Sequence, residues 1–171
     1  MGFFRAGGPS GSRGRYSLPP MRLQLLIPEK HVVLGLEPGD KWETIGRLTG
    51  HLAGVGAFPR EAVAPFNEAV QMRERSMSTG MERGIAIPHA AVDGLEQVVA
   101  ALAVFPEGRG IEFGSIDASP SWLVVLLLIP RAQKLAHIRT LADLARHLGN
   151  EDVRRALRGA RTAGDAWQAL G

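Results

Sequence analysis

Leu123-Val124-Val125-Leu126-Leu127-Leu128-Ile129 is apolar at every position. A strand with one wet face alternates polar and apolar residues, so an unbroken apolar strand is covered on both faces. Pro130, which cannot donate a ladder hydrogen bond, ends it. With Trp122 added, the run has eight residues, and no apolar run in the chain is longer. A membrane helix needs roughly 20. A chain arranged around such a strand must place helices on both sides of a sheet.

The elements on either side fit that requirement. Downstream, Lys134–Leu148 has helical periodicity, with an apolar stripe of Leu135, Ile138, Leu141, Ala142, Ala145 and Leu148 and with His137 on its edge. Two short helices follow, over Asn150–Arg158 and Thr162–Leu170. Upstream lies a strand over Gln97–Phe105, then the loop Pro106–Gly110, and Ile111–Phe113 reads as a small strand or hairpin arm. Ile85–Ile87 is another short buried strand, entered through Gly84 and stopped by Pro88, so that His89 is delivered at a strand end beside a loop.

Nearer the amino terminus, Met21–Ile27 makes one or two helical turns and His31–Leu36 a strand. Asp40 reads as the N-cap of a helix over Lys41–Val55, with Glu43 completing a capping box. Its Gly46, Gly50 and Gly54 predict close packing on a sheet. Arg60–Arg75 is mostly helical, and Pro65 predicts a kink or a restart. The order is β-α-α-β-β-β-α-α-α. It implies helix layers on both faces of one sheet.

The totals exclude several functional classes. The chain has 171 residues, enough for one domain with a core, and no cysteine, so thiolate catalysis, disulfides and cysteine metal sites are out. Its net charge of +3 comes from Arg5, Arg13 and Arg15, because residues 21–171 hold 17 basic and 17 acidic side chains. A neutral domain argues against a nucleic acid groove. Residues 1–20, rich in Gly, Ser, Pro and Arg, predict a disordered tail ahead of a domain over 21–171. They lack a signal-peptide core. Met21 is a candidate start, and the expected location is cytoplasmic.

The chemistry concentrates around His89. An imidazole near neutral pH offers a lone pair that can attack phosphorus. Phosphoryl transfer then needs positioning and cations on the phosphate oxygens. Arg73, Arg75 and Arg83 are within reach by loop length, and guanidinium forks suit phosphate. Ser78 and Thr79 can donate hydroxyl hydrogen bonds to His89 or to phosphate, or else cap the preceding helix. Gly80 and Gly84 could open a backbone nest for an anion. His137 is a candidate second polar group over the site.

The run Arg73-Glu74-Arg75-Ser76-Met77-Ser78-Thr79-Gly80-Met81-Glu82-Arg83-Gly84-Ile85-Ala86-Ile87-Pro88-His89 resembles the signature of enzyme IIA domains of the bacterial phosphotransferase system, fructose/mannitol/nitrogen-regulatory type. The likeness extends over about residues 21–170 and implies an α+β fold, an α/β/α three-layer sandwich around a mixed four- to five-stranded β-sheet, in keeping with the element order. It implies that His89 accepts a phosphoryl group from the phosphocarrier HPr and passes it to a cysteine of a IIB domain. It implies that Arg73 lies near the phosphohistidine and that His137 assists phosphate binding, with Thr79, Ser78 and Arg75 in support. No metal or organic cofactor is implied. The nitrogen-regulatory kind would instead use the phosphorylation state of His89 to control a kinase or transporter, so that the membrane is met only indirectly. Two positions depart from the pattern, which has glycine at both: Glu82 and Ala90. An inward Glu82 would repel phosphate and favour a third role, a non-phosphorylated binding module on the same fold.

Overall fold

The computed structural model describes residues 22–37 and 39–171. The expected tail over residues 1–20 lies outside them. The elements are α1 (Leu23–Leu26), β1 (Val32–Leu34), α2 (Lys41–Gly54), α3 (Val63–Ser76), β2 (Ile85–Ala86), β3 (His89–Val92), β4 (Val99–Val104), β5 (Leu123–Pro130), α4 (Lys134–Leu148), α5 (Glu151–Gly159) and α6 (Ala163–Gln168).

β5 is the axis of a mixed five-stranded sheet. On one side it pairs antiparallel with β4, which pairs parallel with β1; on the other it pairs parallel with β2 and then β3. Alternate residues of β5 feed two cores. Val124, Leu126 and Leu128 pack with Ile45, Leu48, Leu52, Phe66 and Val70 from α2 and α3. Leu123, Val125, Leu127 and Ile129 pack with Leu23, Leu144, Leu148, Leu157 and Leu170 on the side of α1 and α4–α6. The wholly apolar strand is thus buried on both faces, and the three-layer sandwich is present.

Several local expectations are corrected. Pro88 joins two strands rather than ending one, and after α1 the order is β-α-α-β-β-β-β-α-α-α. The Pro88 carbonyl accepts from Leu127 N at 2.9 Å, so the chain stays beside β5 across the proline, and His89 opens β3 opposite Leu127. The Ile111 arm is a single bridge to Ser121. Pro65 falls in the first turn of α3, where its missing N–H would have no helical partner anyway. Asp40 caps α2 by accepting from Glu43 N at 2.8 Å, but the Glu43 carboxylate pairs with Arg47 instead of returning to the cap. A Cβ at Gly50 or Gly54 would meet nothing within 4 Å, so these glycines do not serve close packing.

The largest correction concerns α4. Leu135 and Ile138 are 85% and 70% exposed. The buried face instead carries Thr140, Leu144 and Leu148. This rotation turns His137 toward the sheet.

Candidate functional site

Strand alternation decides where His89 points. Ala90 and Val92 belong to the core under α2 and α3. His89 therefore lies on the opposite face, toward α4. There its ring meets His137 edge to face, with centroids 5.3 Å apart and planes at 76°. Nδ1 of His89 sits 2.7 Å from the backbone oxygen of Ile87. A carbonyl only accepts, so Nδ1 carries the proton and the lone pair resides on Nε2. Burial lowers the His89 pKa, and the charges of Arg73 and His137 lower it further, against the opposing pull of the Ile87 hydrogen bond and of Glu74. The ring is neutral at neutral pH.

His89 is only 8% exposed, more covered than a side chain at an open pocket mouth. Among the described residues, the one sealed side-chain polar atom without a partner is Nε2 of His147. Nε2 of His89 has no hydrogen bond either, so it keeps contact with solvent.

The segment after α3 supports this geometry. Ile87 N donates to Thr79 O at 3.2 Å and Met81 N to Ile85 O at 2.7 Å, which lays residues 79–81 antiparallel against 85–87. Glu74, fully buried in the last turn of α3, holds that segment: its carboxylate accepts from Thr79 N at 3.0 Å and from the Thr79 hydroxyl at 2.5 Å. Lys41 of α2 completes the anchor at 3.0 Å. The Thr79 hydroxyl is thereby committed to Glu74. Ser78 donates to the Phe113 carbonyl and accepts from Gly80 N, which caps the turn.

The arginines separate. Arg73 extends from α3 to the Met77 carbonyl at 2.9 Å, and its charge bears on His89. Arg75 stacks on the Trp42 ring at 5.3 Å and donates to Gln71, so its guanidinium is engaged away from the histidines. Arg83 donates to the Gly149 carbonyl at 3.1 Å, beyond the far end of α4. The two glycines serve close approach rather than an anion nest. A Cβ at Gly80 would lie 2.9 Å from Ser115 N, and one at Gly84, where φ is +73°, 2.3 Å from the Trp122 ring. Glu82 is exposed, and Ala90 has no positive φ. Neither departure disturbs the histidine pair. No group of three His, Asp or Glu side chains arranged to hold a metal occurs among the described residues.

Sequence reading missed Glu74 and Lys41. A carboxylate between two arginines near a helix end has the pattern of a solvated surface, and only the tertiary fold shows it buried.

A sequence model of the phosphoenolpyruvate-dependent sugar phosphotransferase system, EIIA 2, matches residues 25–171. The chain belongs to this EIIA type 2 family. Relatives of this EIIA domain include a nitrogen regulatory protein of Bradyrhizobium diazoefficiens, 30% identical over 145 residues, which span 85% of this chain and 92% of that one. The fructose-specific EIIA component of Haloferax volcanii is 38% identical over 90 residues, 53% of this chain and 57% of that one. Among solved structures, the IIA-Ntr protein of Neisseria meningitidis superposes with a TM-score of 0.75 at 26% identity, covering 87% of this chain and 99% of that one. The IIA mannitol protein of Escherichia coli shares the fold, with a TM-score of 0.69 at 23% identity over 83% of this chain and 96% of that one.

Proposed function

We propose that this EIIA domain is a phosphohistidine carrier with His89 as its nucleophile. The observation that carries the reading is the Nδ1 hydrogen bond to Ile87, which leaves Nε2 free while His137 faces the same ring. Nε2 attacks the phosphorus of a phosphohistidine on an HPr-like carrier. A new P–N bond forms as the donor's P–N bond breaks, and the electron pair returns to the donor nitrogen. The proton on Nδ1 stays shared with the Ile87 carbonyl, which steadies the charge the ring acquires. Arg73 and His137 donate to the phosphoryl oxygens. Thr79 and Ser78 act by positioning the segment, and Arg75 takes no direct part. The reaction is a group transfer, so the domain serves as the phosphotransferase's carrier subunit and needs no cofactor.

Two destinations fit the held phosphoryl group. One is a cysteine of a IIB domain, and a neighbouring structure is described as IIA mannitol in complex with phosphorylated IIB. The other is regulation of a kinase or transporter by the charge on His89. The Bradyrhizobium relative's name and its coverage of nearly the whole domain favour the second. Exposed Leu135 and Ile138 on α4, one turn or less from His137, and exposed Met77 beside Arg73 provide apolar ground for a partner. No helix of the described residues is long and apolar enough to cross a membrane, which is consistent with a cytoplasmic carrier.

The test is incubation with phosphoenolpyruvate, enzyme I and HPr. The expected product is one acid-labile, alkali-stable phosphate per chain, absent from His89→Ala. Label that persists in that variant moves the site elsewhere, and no label from several HPr sources favours the non-phosphorylated binding module.

A further inference from the structure

A second cationic feature lies away from the histidines. Between the turn before β2, the start of β5 and helix α5 is a cleft of about 440 Å³ lined by Arg83, Arg154, Arg155 and Arg158, with Trp122 and Asp117. Trp122 precedes β5, and His89 pairs with Leu127. Five residues of strand at roughly 3.3 Å each separate them, so the cleft is a distinct place on the molecule.

Its charge is concentrated and largely uncompensated. Four guanidiniums and two carboxylates, Asp117 and Glu151, line one cleft in a domain whose 17 basic and 17 acidic residues balance as a whole. Arg83 and Arg154 both donate to a neutral acceptor, the Gly149 carbonyl, at 3.1 and 2.6 Å. Arg158 lies over the Trp122 ring at 4.4 Å. Only Arg155 has carboxylate partners, Glu151 and Asp152. Asp117 spends its carboxylate on Arg83 N and on the N–H and hydroxyl of Ser119, bonds that hold its pKa down to about 2.

The backbone adds an independent sign. Arg83 has φ 66° and ψ 28°, the left-handed region in which a side chain is disfavoured and glycine is at ease. The next residue, Gly84, shows that glycine is used in this very turn. A guanidinium held where glycine would fit better marks a position kept for its side chain. Three guanidiniums with no carboxylate partner, those of Arg83, Arg154 and Arg158, in a cleft of a size common for small ligands, match a multivalent phosphoryl anion.

We infer that the cleft between Arg83, Arg154 and Arg158 binds a small multivalent phosphoryl anion, with Trp122 as its wall. The anion displaces the two guanidiniums from the Gly149 carbonyl and takes up their donors. This site does not depend on phosphorylation of His89.

The experiment uses the full chain with Trp42 and Trp167 replaced by Phe, so that emission reports on Trp122 alone. Pyrophosphate and ADP are titrated in turn. The expected result is a saturable change in Trp122 emission, weakened about tenfold or more in Arg158→Gln, as for a lost charge-assisted hydrogen bond. Arg83→Gly should weaken it similarly while leaving the melting temperature equal or higher, because glycine relaxes the strained turn. His89→Ala should bind as the parent does. Tighter binding of ADP identifies a nucleotide as the ligand, and equal binding identifies the phosphoryl groups alone. Absence of saturation at millimolar anion, or undiminished affinity in both arginine variants, overturns the inference.

Discussion

The two walls of the histidine pair are built in opposite ways. On the α3 side everything is tied down: Glu74 is buried, holds Thr79 by backbone and hydroxyl, and is held by Lys41. On the α4 side the first turns present Leu135 and Ile138 to solvent, and the buried anchors Leu144 and Leu148 come only in the second half of the helix. The difference teaches a division of labour. The wall that fixes the carbonyl acceptor of the His89 ring is anchored by buried polar bonds, and the wall that carries His137 leaves apolar surface exposed.

Removing the α3 wall's anchor should have the largest effect. Glu74→Ala leaves the Thr79 N–H without its acceptor and Lys41 without its counter-charge, which should cost about 2–4 kcal/mol. Urea unfolding would read that loss, and phosphorylation should fall with it. Were Glu74→Ala as stable as the parent, the α3 wall would not be the fixed one.

On the other wall, His137→Ala should slow phosphorylation roughly 10- to 100-fold, the scale of one lost oxyanion donor or somewhat less. The melting temperature should barely move. A stability loss matching the rate loss would make His137 a packing residue rather than a phosphate contact.

Acidification touches both sides. Burial lowers the pKa values of His31, His89 and His147 below the ordinary 6.5. The unfolded chain therefore takes up these protons at higher pH than the fold does. Their contribution to stability is complete above about 6.5 and is lost as pH falls through the window below it. Melting temperatures measured from about pH 7.5 down to pH 5 should decline, and a flat profile would contradict buried neutral rings.

The smallest effect belongs to the free surface. Leu135→Ser with Ile138→Ser should change stability by no more than about 0.5 kcal/mol per site, because both side chains are already in water. Transfer from the HPr-like donor should still slow. Equal transfer rates in parent and variant would remove α4 from the partner surface.

The sequence made the sandwich legible because β5 is apolar at every position, a pattern that only double coverage explains. It made the histidine pair legible through the Arg73–His89 run and the helix bearing His137. Other features were hidden for physical reasons. Pro88 reads as a stop, yet its carbonyl still pairs with Leu127, so one strand became two. Periodicity alone placed Leu135 and Ile138 inward, since a hydrophobic stripe does not say where the sheet ends and the helix overhangs it. Arg75 and Arg83 are near His89 along the chain, but chain distance does not give side-chain direction, and Trp42 and Gly149 claim them.

The central claim is that the Ile87 carbonyl holds the His89 proton on Nδ1 and leaves Nε2 to react. A long-range ¹H–¹⁵N spectrum of the His89 ring, recorded before and after phosphorylation, tests it directly. The account predicts a neutral ring at pH 7 (about half a unit or more above the ordinary histidine value) with its proton on Nδ1, and phosphorus afterwards on Nε2. A proton on Nε2, or phosphorus on Nδ1, would contradict it.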